Sequence, residues 1–197
     1  MKTKGNSLRY ITVTAVFSAV AAVLMMLSFN VPLMPSFMKF DFSELPVLIA
    51  SFAIGPLGGA AVALIKNLIN LIFTTTGGVG ELSNFILSCI FAVTAGTIYK
   101  HHKTRKGAAV AALIGALTMA VAGVFSNYFI IYPLFSLIGW KSEMVLGLYQ
   151  AVNPNIRNLW QALFIFNMPF TFIKGMVTFA LSLPIYKKLS PIIKGRK

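Results

Sequence analysis

The sequence predicts an all-α integral membrane protein, a compact bundle of six transmembrane helices with its N- and C-termini cytoplasmic. Three observations carry this. Of the residues 57% are hydrophobic and 11% charged, against roughly 25% charged in water-soluble domains, and the mean hydropathy is +0.82. The apolar residues come in runs long enough to cross a bilayer, which takes about 20 residues. The charge is segregated along the chain. A soluble fold of 197 residues could not bury so much apolar surface, and disorder is excluded by the same composition.

The first helix is predicted over 9–29. It is too long for the apolar part of a secretory signal and lacks a small-residue cleavage site. Thr14, Ser18 and Ala22 recur every fourth residue, with Ala15 and Ala19 in a neighbouring row. Such small-residue rows let helices approach closely. They pack either inside this bundle or as a flat docking face for another membrane subunit. Residues 30–44 form an external loop with Pro32 and Pro35. The second apolar stretch, 45–54, is too short to span unaided and is broken by Gly55-Pro56. The third, 57–73, is interrupted by Lys66 and Asn67. A glycine-rich loop over 74–80 precedes the fourth helix, 81–99. The fifth covers 107–137, with a kink or end expected near Pro133. Residues 139–158, with Pro154 between two asparagines, read as an external loop. The last helix spans 159–186 and contains Pro169 and Pro184.

Six crossings make the charge of +13 intelligible. Lys2, Lys4 and Arg9, the loop bearing Lys100, Lys103, Arg105 and Lys106, and the tail bearing Lys187, Lys188, Lys194, Arg196 and Lys197 then fall on one side. Asp41, Glu44, Glu81 and Glu143 fall on the other. This is the positive-inside pattern of a multi-pass protein in a cell membrane and removes the case for nucleic-acid binding. The chain forms a single transmembrane domain. Its lone cysteine, Cys89, is expected to be a packing residue.

A lysine at the bilayer centre costs roughly 2.5–3.5 kcal/mol, so one retained there faces a cavity or a partner. Lys66 and Lys174 are two such residues. Asn67 and Asn70 follow Lys66, Thr171 shares a helix face with Lys174, Glu81 and Asn84 repeat that spacing, and Asn127 lies in the outer half of the fifth helix. Together they predict a polar cavity opening outward, although either lysine could instead pair with Glu81 or snorkel. No catalytic, metal-binding or nucleotide-binding motif is present, so an enzyme is not expected and uphill transport would need an outside source of work.

Several blocks resemble one family. They are Phe40-Asp41-Phe42-Ser43-Glu44-Leu45-Pro46, Leu64-Ile65-Lys66-Asn67-Leu68, Thr75-Thr76-Gly77-Gly78-Val79-Gly80-Glu81-Leu82-Ser83-Asn84-Phe85 and Pro169-Phe170-Thr171-Phe172-Ile173-Lys174-Gly175. The chain resembles the substrate-binding S components of energy-coupling factor (ECF) vitamin transporters of prokaryotes, in particular the riboflavin type. Thr171 stands where that family would place an asparagine. The resemblance implies capture of riboflavin from outside, with flavin mononucleotide a second candidate, and no resident cofactor. It implies association with a transmembrane coupling subunit and two cytoplasmic ATPases, toppling in the membrane to deliver the vitamin, and a lid role for 30–44. Under it, Phe40 and Leu45 face the flavin ring. Asn84, Asn127, Thr171 and Lys174 make polar contacts, and Gly80 joins the binding set. Lys66, Asn67 and Glu81 either touch ligand or hold the cavity open, and Asp41 and Glu44 serve the lid or a helix start. The rivals are the same scaffold with another vitamin, a self-sufficient secondary transporter, and a purely structural membrane subunit.

Overall fold

The computed structural model describes residues 4–193, and side chains over 8–185. Lys2, Lys194, Arg196 and Lys197 therefore lie outside the described residues, and Lys4, Lys187 and Lys188 outside the described side chains. The helices are α1 (Lys4–Met26), α2 (Glu44–Ile54), α3 (Pro56–Asn70, prolonged by a 3₁₀ turn at Leu71–Phe73), α4 (Val79–His101), α5 (Arg105–Ser126), α6 (Tyr132–Leu137), α7 (Ser142–Gln150), α8 (Leu159–Ala162) and α9 (Met168–Ile193). Between α1 and α2 a two-residue pairing joins β1 (Phe29–Asn30) to β2 (Lys39–Phe40), antiparallel, with Phe29 opposite Phe40.

Among the described residues, five helical segments are long and apolar enough to cross a membrane: Leu8–Met26, Pro56–Phe73, Val79–His101, Arg105–Leu137 and Leu159–Ile185. α2, a shorter apolar helix, has 11 residues. At about 1.5 Å per residue it covers roughly half of a hydrocarbon core. It is apolar all round and buried from Pro46 to Phe52, packed against α1, α3, α4 and α9. Such a helix belongs in the middle of a bundle. Gly55 ends it with φ 97° and ψ 170°, a conformation open essentially to glycine alone, and Pro56 opens α3 with a pre-set φ and no wasted donor. α2 and α3 thus form a hairpin inside the bundle.

Small residues set the contacts between the long helices. Ala108, Ala111, Ala112, Ala116 and Ala120 are buried along α5. A Cβ on Gly175 of α9 would lie 2.7 Å from Ala116 Cβ, so those helices meet at the closest approach that glycine permits. Ser51 of α2 donates to the Ala92 carbonyl at 2.6 Å. On α1 the two small-residue rows separate. Thr14, Ser18 and Ala22 are buried inside this bundle, whereas Ala15 and Ala19 are exposed. The expected five-residue docking face is therefore divided, three of its members packing against the chain's own helices.

Two expectations take a more definite form. The fifth helix does not end near Pro133: α5 passes through a π-helical turn, Asn127–Ile131, into α6. A second π turn, Leu163–Asn167, joins α8 to α9 just before Pro169. Pro133 and Pro169 cannot donate to the carbonyls of Phe129 and Ile165, and their rings crowd those oxygens, so widening the preceding turn keeps each helix continuous. The segment 139–158 is not simply a wet loop either. It contains α7, and Val145, Tyr149 and Ile156 are buried in one cluster with Met38, Ile131, Tyr132, Phe135, Leu163 and Phe166.

Candidate ligand cavity

A cavity of about 790 Å³ opens at the end of the bundle where α1 stops, α2 starts, α3 stops and α4 starts. The basic loop between α4 and α5 lies at the other end. One wall is aromatic, built from Phe37, Tyr132, Phe135, Trp140 and Phe170, with Phe135 and Trp140 stacked at 5.4 Å between centroids. The lining also carries Asn70, Thr75, Thr76, Glu81 and Asn84. The segment between β1 and β2 and its continuation, through Ser36, Phe37, Met38, Lys39 and Asp41, covers one side.

The polar groups are arranged by their protein partners. Glu81 accepts from Asn70 Nδ2 at 3.2 Å, Thr74 Oγ1 at 2.8 Å and Thr76 Oγ1 at 3.2 Å. It sits in the first turn of α4, where the helix dipole favours an anion. Asn127 Oδ1 accepts from Ser83 Oγ at 3.2 Å, leaving its amide N–H groups for the cavity. Asn84 contacts Met25 Sδ through Nδ2 at 3.8 Å, leaving its oxygen. Tyr149 donates to Asn167 Oδ1 and lies 2.6 Å from the Tyr132 hydroxyl.

Both membrane lysines have partners, and these are not Glu81. Lys66 Nζ lies 2.6 Å from Glu44 Oε1 and 2.7 Å from Ser43 Oγ, and Ser88 Oγ also donates to Glu44 Oε1. Lys174 Nζ lies 2.8 Å from Asp41 Oδ2, while Asp41 Oδ1 accepts from the Ser43 backbone N–H at 2.8 Å. This corrects the reading of Asp41 and Glu44 as lid or helix-start residues alone: they are the buried counter-ions of Lys174 and Lys66. In the loop before α2, burial pushes the Asp41 carboxyl up, but the ammonium groups of Lys174 and Lys66 outweigh it, and its pKa falls from 3.8 to about 2. A sharp-turning loop is thereby pinned to the last helix by one carboxylate.

Of the residues singled out from sequence, Gly80, Glu81, Asn84, Asn127, Thr171 and Lys174 line the cavity. Phe40, Leu45, Lys66 and Asn67 do not. Phe40 packs edge-on against Phe170 at 6.0 Å, behind the aromatic wall. Lys66 is fully buried on Glu44, so it has no route to a ligand phosphate. Asn67 is buried and donates to the Ala63 carbonyl one turn back at 2.8 Å. Sequence reasoning missed Phe37, Lys39, Trp140 and Asn167. For Asn167 a signal existed, since Asn167-Met168-Pro169 puts an amide just ahead of a helix-distorting proline.

The architecture has known relatives. Residues 9–186 match the family "ECF transporter, substrate-specific component". The chain is 33% identical over 186 residues to the riboflavin transporter RibU of Staphylococcus aureus (strain TCH60), covering 94% of this chain and 92% of that protein. It is 31% identical over 191 residues to the riboflavin transporter FmnP of Bacillus subtilis (strain 168), covering 95% of each. A solved structure, described as the S component of a bacterial ECF transporter, superposes with a TM-score of 0.73 at 30% identity, over 95% of this chain and 99% of that one. These relatives are transport components of prokaryotic cell membranes and not enzymes. The chain is a multi-pass membrane protein that belongs to the substrate-specific components of ECF transporters.

Proposed function

We propose that this chain is the riboflavin-binding subunit of an ECF importer. It captures the vitamin from outside and delivers it inward when joined to a transmembrane coupling subunit and two cytoplasmic ATPases. The names of its relatives point to riboflavin, and the character of the cavity supports it. Riboflavin is neutral and amphipathic, a flat tricycle with a hydroxylated tail. A space of about 790 Å³ holds it, lined by aromatic rings together with hydroxyl, amide and carboxylate groups. The observation that carries the reading is charge matching: Lys174 in the cavity lining is neutralised by Asp41, and the buried Lys66 by Glu44. The work of transport must come from the partners, and the exposed Ala15 and Ala19 side of α1 is the part of the small-residue face left for a subunit contact.

The test is to purify the protein in detergent and titrate riboflavin by quenching of flavin fluorescence. Saturable quenching is expected. Asn84→Ala and Lys174→Ala should each weaken it by about tenfold or more, the scale of one buried hydrogen bond or charge contact. Fluorescence unchanged by the wild-type protein would sink the riboflavin claim and leave another vitamin on the same scaffold.

A further inference from the structure

Resting on the riboflavin reading, we propose that Asn167 is a ligand-reading residue that presents amide N–H donors to an acceptor on the flavin ring, held in that orientation by the hydroxyl pair of Tyr149 and Tyr132. Asn167 is 93% buried, its exposure being 7%, and lines the cavity. Its Oδ1 is taken by the Tyr149 hydroxyl. A hydroxyl carries one proton, so with Tyr149 donating to Asn167, the Tyr132 hydroxyl 2.6 Å away donates to Tyr149. The chain of donors runs in one direction and ends on the amide oxygen. Tyr132 also lies within hydrogen-bonding reach of Asn167, and what the amide chiefly offers a ligand is its Nδ2 group, a donor. Burial holds the Tyr149 phenol well above its usual value near 10, so the relay keeps its protons throughout the physiological range.

The site is built by elements that have no other evident reason to meet. Asn167 closes the π turn ahead of Pro169, and Asn127 opens the π turn ahead of Pro133, so two widened turns on neighbouring helices each turn an amide toward the same space. Tyr149 comes from α7, outside the long helices, and is fully buried with Phe37 edge-on at 5.5 Å. Asn167 is thereby joined to the aromatic cluster of Tyr132, Tyr149 and Phe166 rather than to the hydroxyls around Glu81, hence the assignment to the ring. It also compensates locally for Thr171, one helical turn further on, which brings a hydroxyl where the family resemblance calls for an amide.

The experiment compares wild type, Asn167→Asp and Tyr149→Phe, each checked by thermal unfolding in detergent. Two probes are titrated: riboflavin, and lumichrome, a dimethyl tricycle lacking the ribityl tail. Asn167→Asp, which replaces the donors by an acceptor, should weaken both probes by a similar factor of at least about ten. It should also move the absorption bands of bound riboflavin, which respond to hydrogen bonds on the ring. Tyr149→Phe keeps the ring packing, releases the amide, and should shift the same bands in the same direction with a smaller loss of affinity. If Asn167→Asp does not fold, Tyr149→Phe decides by the band shift. Folded variants that bind both probes within about twofold of wild type, with unmoved bands, overturn the proposal while the riboflavin reading stands. Loss confined to riboflavin overturns the ring assignment. A wild type that binds no riboflavin removes both.

Discussion

At the scale of single residues, four charges decide how the cavity end is held together. Lys66 and Glu44 are both essentially out of contact with solvent, so removing one leaves the other as an uncompensated charge, a loss of about 3–5 kcal/mol. Replacing both by apolar residues of similar size removes the desolvation cost together with the attraction. Lys66→Met alone should therefore lower the unfolding temperature sharply, and Lys66→Met with Glu44→Leu should recover most of the loss. A double variant no better than the single would show that the pair is not an isolated unit. Asp41 adds a pH dependence. Its folded pKa, about 2, lies below the ordinary 3.8, so the unfolded chain binds the proton more readily as acid is added. The stabilisation is complete above about pH 5 and is lost as pH falls through 4 toward 2. Asp41→Asn should flatten that part of the stability profile. The sequence made Lys66 and Lys174 conspicuous, since each is a lone charge in an apolar run. It did not reveal their partners, because Asp41 and Glu44 lie 133 and 22 residues away along the chain and in a segment that reads equally well as solvent-facing loop.

At the scale of elements, the long helices were legible because their apolar runs exceed what any soluble helix needs, and the break at Gly55-Pro56 was legible because those two residues leave little choice. What the sequence hid is local. The π turns before Pro133 and Pro169 depend on how a helix resolves a missing donor, and neighbouring helices settle whether it kinks, ends or widens. α7 was hidden because nine residues rich in polar side chains give too short a pattern, and its burial comes from the surface it caps. The same dependence on neighbours gives a prediction at the α5–α9 contact. Ala116 and Met119 already fill the space against Gly175, with Ala116 Cβ 2.7 Å from where a new Cβ would sit. Ala116 obstructs through its Cβ and its backbone Cα, the latter at 3.3 Å, whereas Met119 meets the new atom only with its movable Cε at 3.2 Å. Gly175→Val should separate the helices and cost about 1–3 kcal/mol by overpacking. Because Lys174 is its neighbour in sequence, riboflavin affinity should fall with stability. A variant with unchanged unfolding temperature would mean that α9 can shift along α5 without cost.

At the scale of the whole molecule, orientation and function are tied together. Five segments are long enough to cross, and α2 is not, yet α2 and α3 must leave the cavity end and return to it, because Glu44 begins the one and Asn70 and Phe73 end the other, all three lining the cavity. The bundle therefore has an even number of passes whether or not α2 reaches the far surface. This places the loop of Lys100, Lys103, Arg105 and Lys106 at one end with the start of α1, and the loops of Asp41, Glu81 and Glu143 at the other. Positive charge is retained on the cytoplasmic side, so the cavity mouth should face outward, as capture from outside requires. The assignment can be read directly in cells. In a Cys89→Ser background, Glu143→Cys should react with a membrane-impermeant thiol reagent in intact cells, and Lys103→Cys only after the membrane is opened. Both positions lie away from the cavity lining, so neither change should disturb ligand binding. The reverse pattern would turn the mouth toward the cytoplasm. A binder so oriented would meet the vitamin only after it had entered, and capture from outside would have to be abandoned even if riboflavin were bound tightly.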